Sequence, residues 1–285
     1  MLKTAIGCAF VACSTWAAEP PRRIVSTAPS ITEMLYALGL GDRVVGVTTY
    51  CHYPPEARLK PKIGAYLRPD LEAVVALRPD LVILAGRLTN LAEKLPAFSI
   101  PTLELEHQTI AGIYDSLSVI GRRAGAEAAA ERRVAAIKKD LDQVHARLAA
   151  RPKRSAMFIV GRTPGTIQDL IAAGRATFLN ELIEIAGGDN IFKDAVAAYP
   201  KVAREEVFAR RPEVIIDMGE MADTDRVTEE QKKKVVELWN KFSILPAVRS
   251  RRVYAVASDI FVVPGPRVAE AARALSRMIH PEAGL

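Results

Sequence analysis

"DLEAVVALRPDLVILAG", Asp70 to Gly86, reads as a short helix, a proline break and a strand. The same sentence is written again as "REEVFARRPEVIIDMG", Arg204 to Gly219. Glu72, Val74, Ala76, Arg78, Pro79 and Ile83 correspond at constant spacing to Glu205, Val207, Ala209, Arg211, Pro212 and Ile216. A helix–Arg-Pro–strand unit that occurs twice implies two lobes of one design.

The residues around each copy extend that design. "RIVSTA" (Arg23 to Ala28) and "RVVGVTTY" (Arg43 to Tyr50) read as strands, with "SITEMLYALGLGD" between them as a helix. Ser30 is expected to cap that helix, with Glu33 at the capping-box position and Gly39 as its stop. In the second half "RSAMFIVG" (Arg154 to Gly161) is a strand, and "TFLNELIEIAGGDNIF" (Thr177 to Phe192) a helix with the same Glu and closing Gly. Alternating strands and helices predict a mainly parallel sheet in each half, because parallel strands need crossover connections. The fold class is α/β, with two similar lobes.

What joins the lobes is a helix, not a flexible tether. From Ala126 to Ala150 the chain keeps a helical rhythm, is rich in alanine and carries no glycine. As one helix it is roughly 35–40 Å long at 1.5 Å per residue. A Gly/Ser linker permits wide hinging; a rigid strut restricts it. The organisation expected is a signal peptide at residues 1–18, an N-terminal lobe at 22–121, an inter-lobe helix at 122–152 and a C-terminal lobe at 153–285.

Composition narrows the class. At 285 residues, 49% hydrophobic and 25% charged, the chain has a globular balance. Its net charge of +6 is spread along helices with acidic residues interleaved, as in "ERRVAAIKKDLDQVHARL", which is a solvated face rather than a nucleic-acid footprint. Lys3, the apolar run Ala5 to Ala12 and the small residues of "STWAAEPP" form a secretory signal, cleaved after Ala17 or Ala18. The expected location is periplasmic, with lipidation at Cys13 the second choice. Cleavage removes Cys8 and Cys13, leaving Cys51 without a disulfide partner.

Cys51 and His52 lie in "TTYCHYPPEA", Thr48 to Ala57. Adjacent residues on extended backbone point to opposite sides, so the pair does not clasp one metal ion. His107, His145 and His280 are scattered elsewhere, and no G-x-S-x-G, HExxH or Walker pattern occurs. No reaction, catalytic residue or resident cofactor is expected; the rival from another class, an exported metal-dependent enzyme on a two-lobed frame, needs clustered His and acidic side chains, which the linear sequence does not offer. Cys51 reads as a small buried group and His52 as part of an aromatic lip stiffened by Pro54 and Pro55. His52 is also the candidate to give an imidazole to the metal of a bound chelate.

Over about residues 22 to 280 the chain resembles the helical-backbone substrate-binding proteins of metal-chelate ABC importers. "TTYCHYPPEA", "LEAVVALRPDLVI", "GGDNIFKDAVAAYPKVAREEVFARRPE" and "ASDIFVVPGPR" carry the resemblance. The helix–Arg-Pro–strand unit marks the fold; the Tyr-x-x-Tyr-Pro-Pro lip and "YPKVARE" are narrower and point to a corrinoid such as cobalamin.

The resemblance implies a ligand held between the lobes by a monomer. Tyr50 matches the lip tyrosine, Asp259, Ile260, Phe261, Val262 and Val263 the opposite loop, and Tyr66 and Tyr199 the cleft aromatics. His52 and Arg87 complete the expected ligand-binding set. Ile260 stands where the family carries tryptophan, and "LAGRLTN" after the third strand holds no aromatic. Haem or a ferric siderophore is the alternative cargo, the latter using Arg68, Arg87 or Arg162. The implied partner is a permease dimer with its ATPase subunits, docked through an acidic residue on each lobe: Glu93 on the first, and Glu230, with Glu229 as rival, on the second.

Overall fold

The computed structural model describes residues 19–87, 89–219 and 227–284. The first lobe runs β1 (Ile24–Ser26), α1 (Pro29–Ala37), β2 (Val44–Val47), a small hairpin of β3 (Gly64–Ala65) and β4 (Arg68–Pro69), α2 (Leu71–Ala76), β5 (Leu81–Ala85), α3 (Leu91–Lys94), β6 (Thr102–Leu105) and α4 (Ile110–Ala124). Its sheet has the order β2-β1-β5-β6, parallel throughout. All five residues of β5 are buried, because both faces of the sheet are covered. The strand's two-residue period divides them: Leu81, Ile83 and Ala85 join the core beneath α1 and α4, while Val82 and Leu84 pack with Val74, Leu91 and Leu95 on the other face.

After the long helix α5 (Glu127–Leu148), the second lobe runs β7 (Arg154–Gly161), β8 (Leu170–Ala172), α6 (Phe178–Ile185), β9 (Gly188–Asn190), β10 (Lys201–Val202), α7 (Arg204–Arg210), β11 (Val214–Asp217), α8 (Glu229–Asn240), α9 (Pro246–Arg249), β12 (Val253–Ala255) and α10 (Val268–Ile279). β11 pairs in parallel with β7 and β12, and β9 in parallel with the start of β7. β8 and β10 extend the edge in antiparallel fashion. The fold is two α/β lobes with mainly parallel sheets, joined by one long helix.

The repeated unit has one backbone solution in both lobes. Arg78 and Arg211 each take a left-handed conformation, φ 46° and 49°. Each ends its helix by pointing its N–H back, to the carbonyl of Val75 and Val207 respectively. Pro79 or Pro212 then starts the new direction. A non-glycine residue in this region costs roughly 1 kcal/mol, which both lobes carry at the same place.

Two local expectations are corrected. Ser30 is not the cap of α1: the helix starts at Pro29 with Ala28 as N-cap and no side-chain cap. Ser30 Oγ instead lies 2.7 Å from His107 Nε2, and Glu33 turns to Arg267. The C-terminal reading stands, since Gly39 (φ +75°) closes a Schellman turn with Leu40 N–H on Leu35 O and Gly39 N–H on Tyr36 O. In the second lobe, the helix expected over Thr177–Phe192 stops at Ile185. Gly187 (φ +75°) ends it, and Gly188 to Asn190 pair with Arg154 to Ala156 as a strand.

α5 covers 22 residues, about 33 Å. Ala130, Ile137, Leu141, Val144 and Leu148 form its buried stripe. A Cβ at Gly121 of α4 would lie 2.7 Å from Ala130 Cβ, so glycine permits the close α4–α5 approach. Asp140 pairs with Arg273 at 2.8 Å, tying α5 to α10. The strut is not the only tie between lobes. Phe178 N–H donates to Gln108 O at 2.7 Å, Ile110 N–H to Glu181 Oε2 at 2.6 Å, and Arg267 grips Glu33.

Candidate functional site

A cleft of about 1060 Å³ opens between the lobes, with Gln108, which holds one of these ties, in its lining. Its first wall is the lip after β2. Cys51 is fully buried, with the Thr32 and Thr48 hydroxyls each 3.2 Å from its sulfur. Burial pushes the thiol pKa up, so it stays protonated and unreactive. The lip is a turn closed by Cys51 N–H on Thr48 O at 3.2 Å, and the next side chain, His52, lines the cleft. Its Nε2 lies 3.1 Å from Thr49 O, and Arg58 Nε–H donates to His52 O at 3.1 Å. Tyr50 stands at the rim, 54% exposed.

The β3–β4 hairpin supplies the next part of this wall. Gly64 (φ +92°) is required there, because a Cβ would lie 2.8 Å from Arg68 O. The tight turn holds Tyr66 and Leu67 over the opening. Tyr199, from the loop before β10, approaches from the second lobe. Burial raises the pKa of both phenols, and proximity to Tyr66 adds to the rise at Tyr199. The two rings therefore face one cavity from opposite lobes.

His107 and Gln108 form the floor. His107 is 4% exposed, and burial lowers its pKa to about 4. The floor thus presents a neutral imidazole. Opposite lies the loop after β12, from which Asp259, Val262, Val263 and Pro264 line the cavity.

The expected site residues divide between wall and elsewhere. Tyr50, His52, Tyr66, Tyr199, Asp259, Val262 and Val263 are brought together on the cleft. Phe261 is not on it: its ring lies 5.6 Å from Phe158 in the second lobe's core, and Ile260 packs against that same core. Asp259–Phe261 is a 3₁₀ turn, so successive side chains fan out and cannot all face one ligand. Arg87 is solvent-exposed and pairs with Glu104 at 3.2 Å, away from the cleft. Arg68 lies on β4 outside the lining, and Arg162 is buried against Asp217, whose carboxylate also accepts from Trp239 Nε1 at 2.6 Å. The cation that does line the cleft, Arg58, was missed, as were Ser30, Leu67, His107 and Gln108. The charged side chains on the described wall are Arg58 and Asp259. Among the described residues no group of three or more His, Cys, Asp or Glu is placed to hold a metal ion.

Residues 24–260 match the family model described as "Periplasmic binding protein". The chain belongs to the periplasmic binding protein family. An ABC transporter substrate-binding lipoprotein of Bacillus subtilis is 32% identical over 93% of this chain and 82% of its own. A vitamin B12-binding protein of Pectobacterium atrosepticum is 30% identical over 89% of this chain and 86% of its own. A periplasmic haem-binding protein of Pseudomonas aeruginosa superposes with a TM-score of 0.78 at 22% identity, covering 92% of this chain and 93% of that one. The last likeness concerns the fold alone, which accommodates more than one cargo.

As a periplasmic binding protein of the ABC transporter family, the chain has a transport role. Glu93 is exposed in the first turn of α3. Glu230 is exposed at the start of α8 and pairs with Lys234 at 3.0 Å, while Glu229 pairs with Lys232 at 2.7 Å. No helix among the described residues is long and apolar enough to cross a membrane. The expected signal peptide, with Cys8 and Cys13, lies outside the described residues.

Proposed function

We propose that this protein is periplasmic, captures cobalamin or a related corrinoid in the inter-lobe cleft, and delivers it to an ABC permease, docking through Glu93 and Glu230. The carrying observation is the chemistry of the wall. Pockets for drug-sized ligands run about 300–1,000 Å³, and this cleft of about 1060 Å³ sits at the upper end of that range, with room for a plate-like guest. Among the described residues its wall is mostly aromatic, aliphatic and neutral polar, with Arg58 and Asp259 carrying charge.

A corrin is a broad, partly apolar plate rimmed by neutral amides, so it asks for flat apolar contact and a few polar partners. The two carboxylates of haem, or the polyanionic donor set of many siderophores, would call for more cations than the one on the described wall, Arg58. The vitamin B12-binding relatives support the same choice. No bond is made or broken in this role: the ligand is desolvated between two walls and released intact.

The test is equilibrium binding of cyanocobalamin, haemin and a ferric siderophore, followed by absorbance and calorimetry. Stoichiometric binding of cyanocobalamin in preference to the other two is expected. Binding of haemin or siderophore without cyanocobalamin would overturn the proposal.

A further inference from the structure

The lip that carries Tyr50 and His52 is anchored to the opposite lobe. Arg267, the residue before α10, makes a bidentate contact with Glu33 of α1: Nε–H donates to Oε2 at 2.9 Å, and the second nitrogen donates to Oε1. The side chains are 11% and 3% exposed. Tyr53, one residue beyond His52, lays its ring on the guanidinium, with its centroid 4.0 Å from the Arg267 carbon. Arg267 also follows Val263 and Pro264, which line the cleft from the second lobe. One cation therefore touches the first lobe's helix and its lip while sitting at the root of the second lobe's wall. A small pocket bounded by His52, Arg58 and Asp259 lies on the cleft side of this cluster; a larger groove lies on its other side, and Tyr53 and Arg267 border both.

From this juxtaposition we infer that Tyr53, Arg267 and Glu33 are positioning residues for ligand capture: they form a latch that sets the width of the cleft and the place of the lip. The inference rests on the cleft being the ligand site. Guanidinium geometry suits the task, since its planar fork fixes orientation on a carboxylate while its face remains free to stack on an aromatic ring. The buried pair has a small claim on net stability, because desolvation offsets most of its attraction; specifying one arrangement of two lobes is the role such a pair can fill. The strut α5 holds the lobes at their back, and the latch holds them at the cleft.

Two variants separate positioning from folding. Tyr53→Leu leaves the ion pair intact and removes the stacked ring. Glu33→Met with Arg267→Met replaces the pair by apolar groups of similar length, a change that buried pairs tolerate without loss of fold. Spin labels are placed at Leu59→Cys and Val196→Cys, which are 87% and 92% exposed on the two lobes, with Cys8 and Cys13 changed to Ser and buried Cys51 left in place. Pulsed electron resonance without ligand then reports the inter-lobe distance distribution, and calorimetry gives the affinity for cyanocobalamin.

The latch predicts a broadened distribution in both variants. Binding is expected to be weaker by about three- to tenfold for Tyr53→Leu, and by about tenfold or more for the double variant, while thermal midpoints stay near that of the parent. Unchanged distances and unchanged affinity would overturn it. Parent protein that binds no corrinoid would refute the cargo reading, and the distance distributions would still decide the latch.

Discussion

His107 turns the cleft floor into a measurable pH dependence. Its folded-state pKa is lowered by burial to about 4, against the ordinary 6.5 it regains in the unfolded chain. As pH falls through 6.5 the unfolded state takes up a proton that the folded state refuses until about pH 4. Stability therefore rises with pH across this window, is complete above 6.5 and is lost on acidification towards 4. The two values differ by about 2.5; at about 1.36 kcal/mol per unit the contribution is about 3 kcal/mol.

His107→Gln keeps a polar partner for Ser30 and cannot titrate. Denaturant unfolding of parent and variant at pH 7.5, 6.0, 5.0 and 4.5 isolates the effect, because the shifts of Glu33 and Glu181 are common to both proteins and cancel in the difference. Glu282 is held down at about 2, although burial opposes this, by Arg154, its own backbone and His280, so its loss falls below the window. The parent should lose about 2–3 kcal/mol more than His107→Gln between pH 7.5 and 4.5. Parallel curves, or a nuclear magnetic resonance titration placing His107 near 6.5, would refute a dehydrated floor.

Three other outcomes are expected. Tyr50→Ala or Tyr199→Ala should weaken corrinoid binding by about ten- to thirtyfold without moving the thermal midpoint, since each ring offers apolar area worth about 2 kcal/mol when a ligand covers it; calorimetry checks this. Glu93→Ala together with Glu230→Ala should reduce stimulation of the permease's ATPase while leaving ligand affinity untouched, and a fall in affinity would show these residues to serve the cleft instead. Ala203→Ser should stabilise the protein by about 1 kcal/mol in denaturant melts, because Ala203 is the N-cap of α7 with extended backbone and no side-chain cap. Its counterpart Asp70 caps α2 by accepting from Glu72 N–H at 2.9 Å and Ala73 N–H at 3.2 Å.

What could be read from the sequence was what repeats locally. Apolar runs at Leu81–Ala85 and Val214–Asp217 have strand rhythm whatever their neighbours do, and Arg-Pro punctuates them, so the two-lobed α/β frame is written in short-range pattern. The helix ends that failed have physical competitors. Ser30 was drawn from capping by His107, and Gly188 to Asn190 were drawn into pairing by a vacant edge at the start of β7. In both, a tertiary partner outbid a local propensity.

The site divides by the same rule. Tyr50 and His52 do lie on one wall of the cleft, but it is a turn after β2, closed by Cys51 N–H on Thr48 O, and not strand alternation that puts them there. Asp259 to Val263 do not share one face, because the 3₁₀ turn buries Phe261 in the core and packs half-buried Ile260 against it. Nothing local links Glu33 to Arg267, 234 residues later, or Ser30 to His107, yet the first pair bridges the lobes and the second sits at the cleft floor. Which cations reach the cleft is thus decided by long-range packing: Arg162 is withdrawn into a buried ion pair and Arg87 to the surface, so that among the described residues Arg58 and Asp259 are the charged side chains left on the wall.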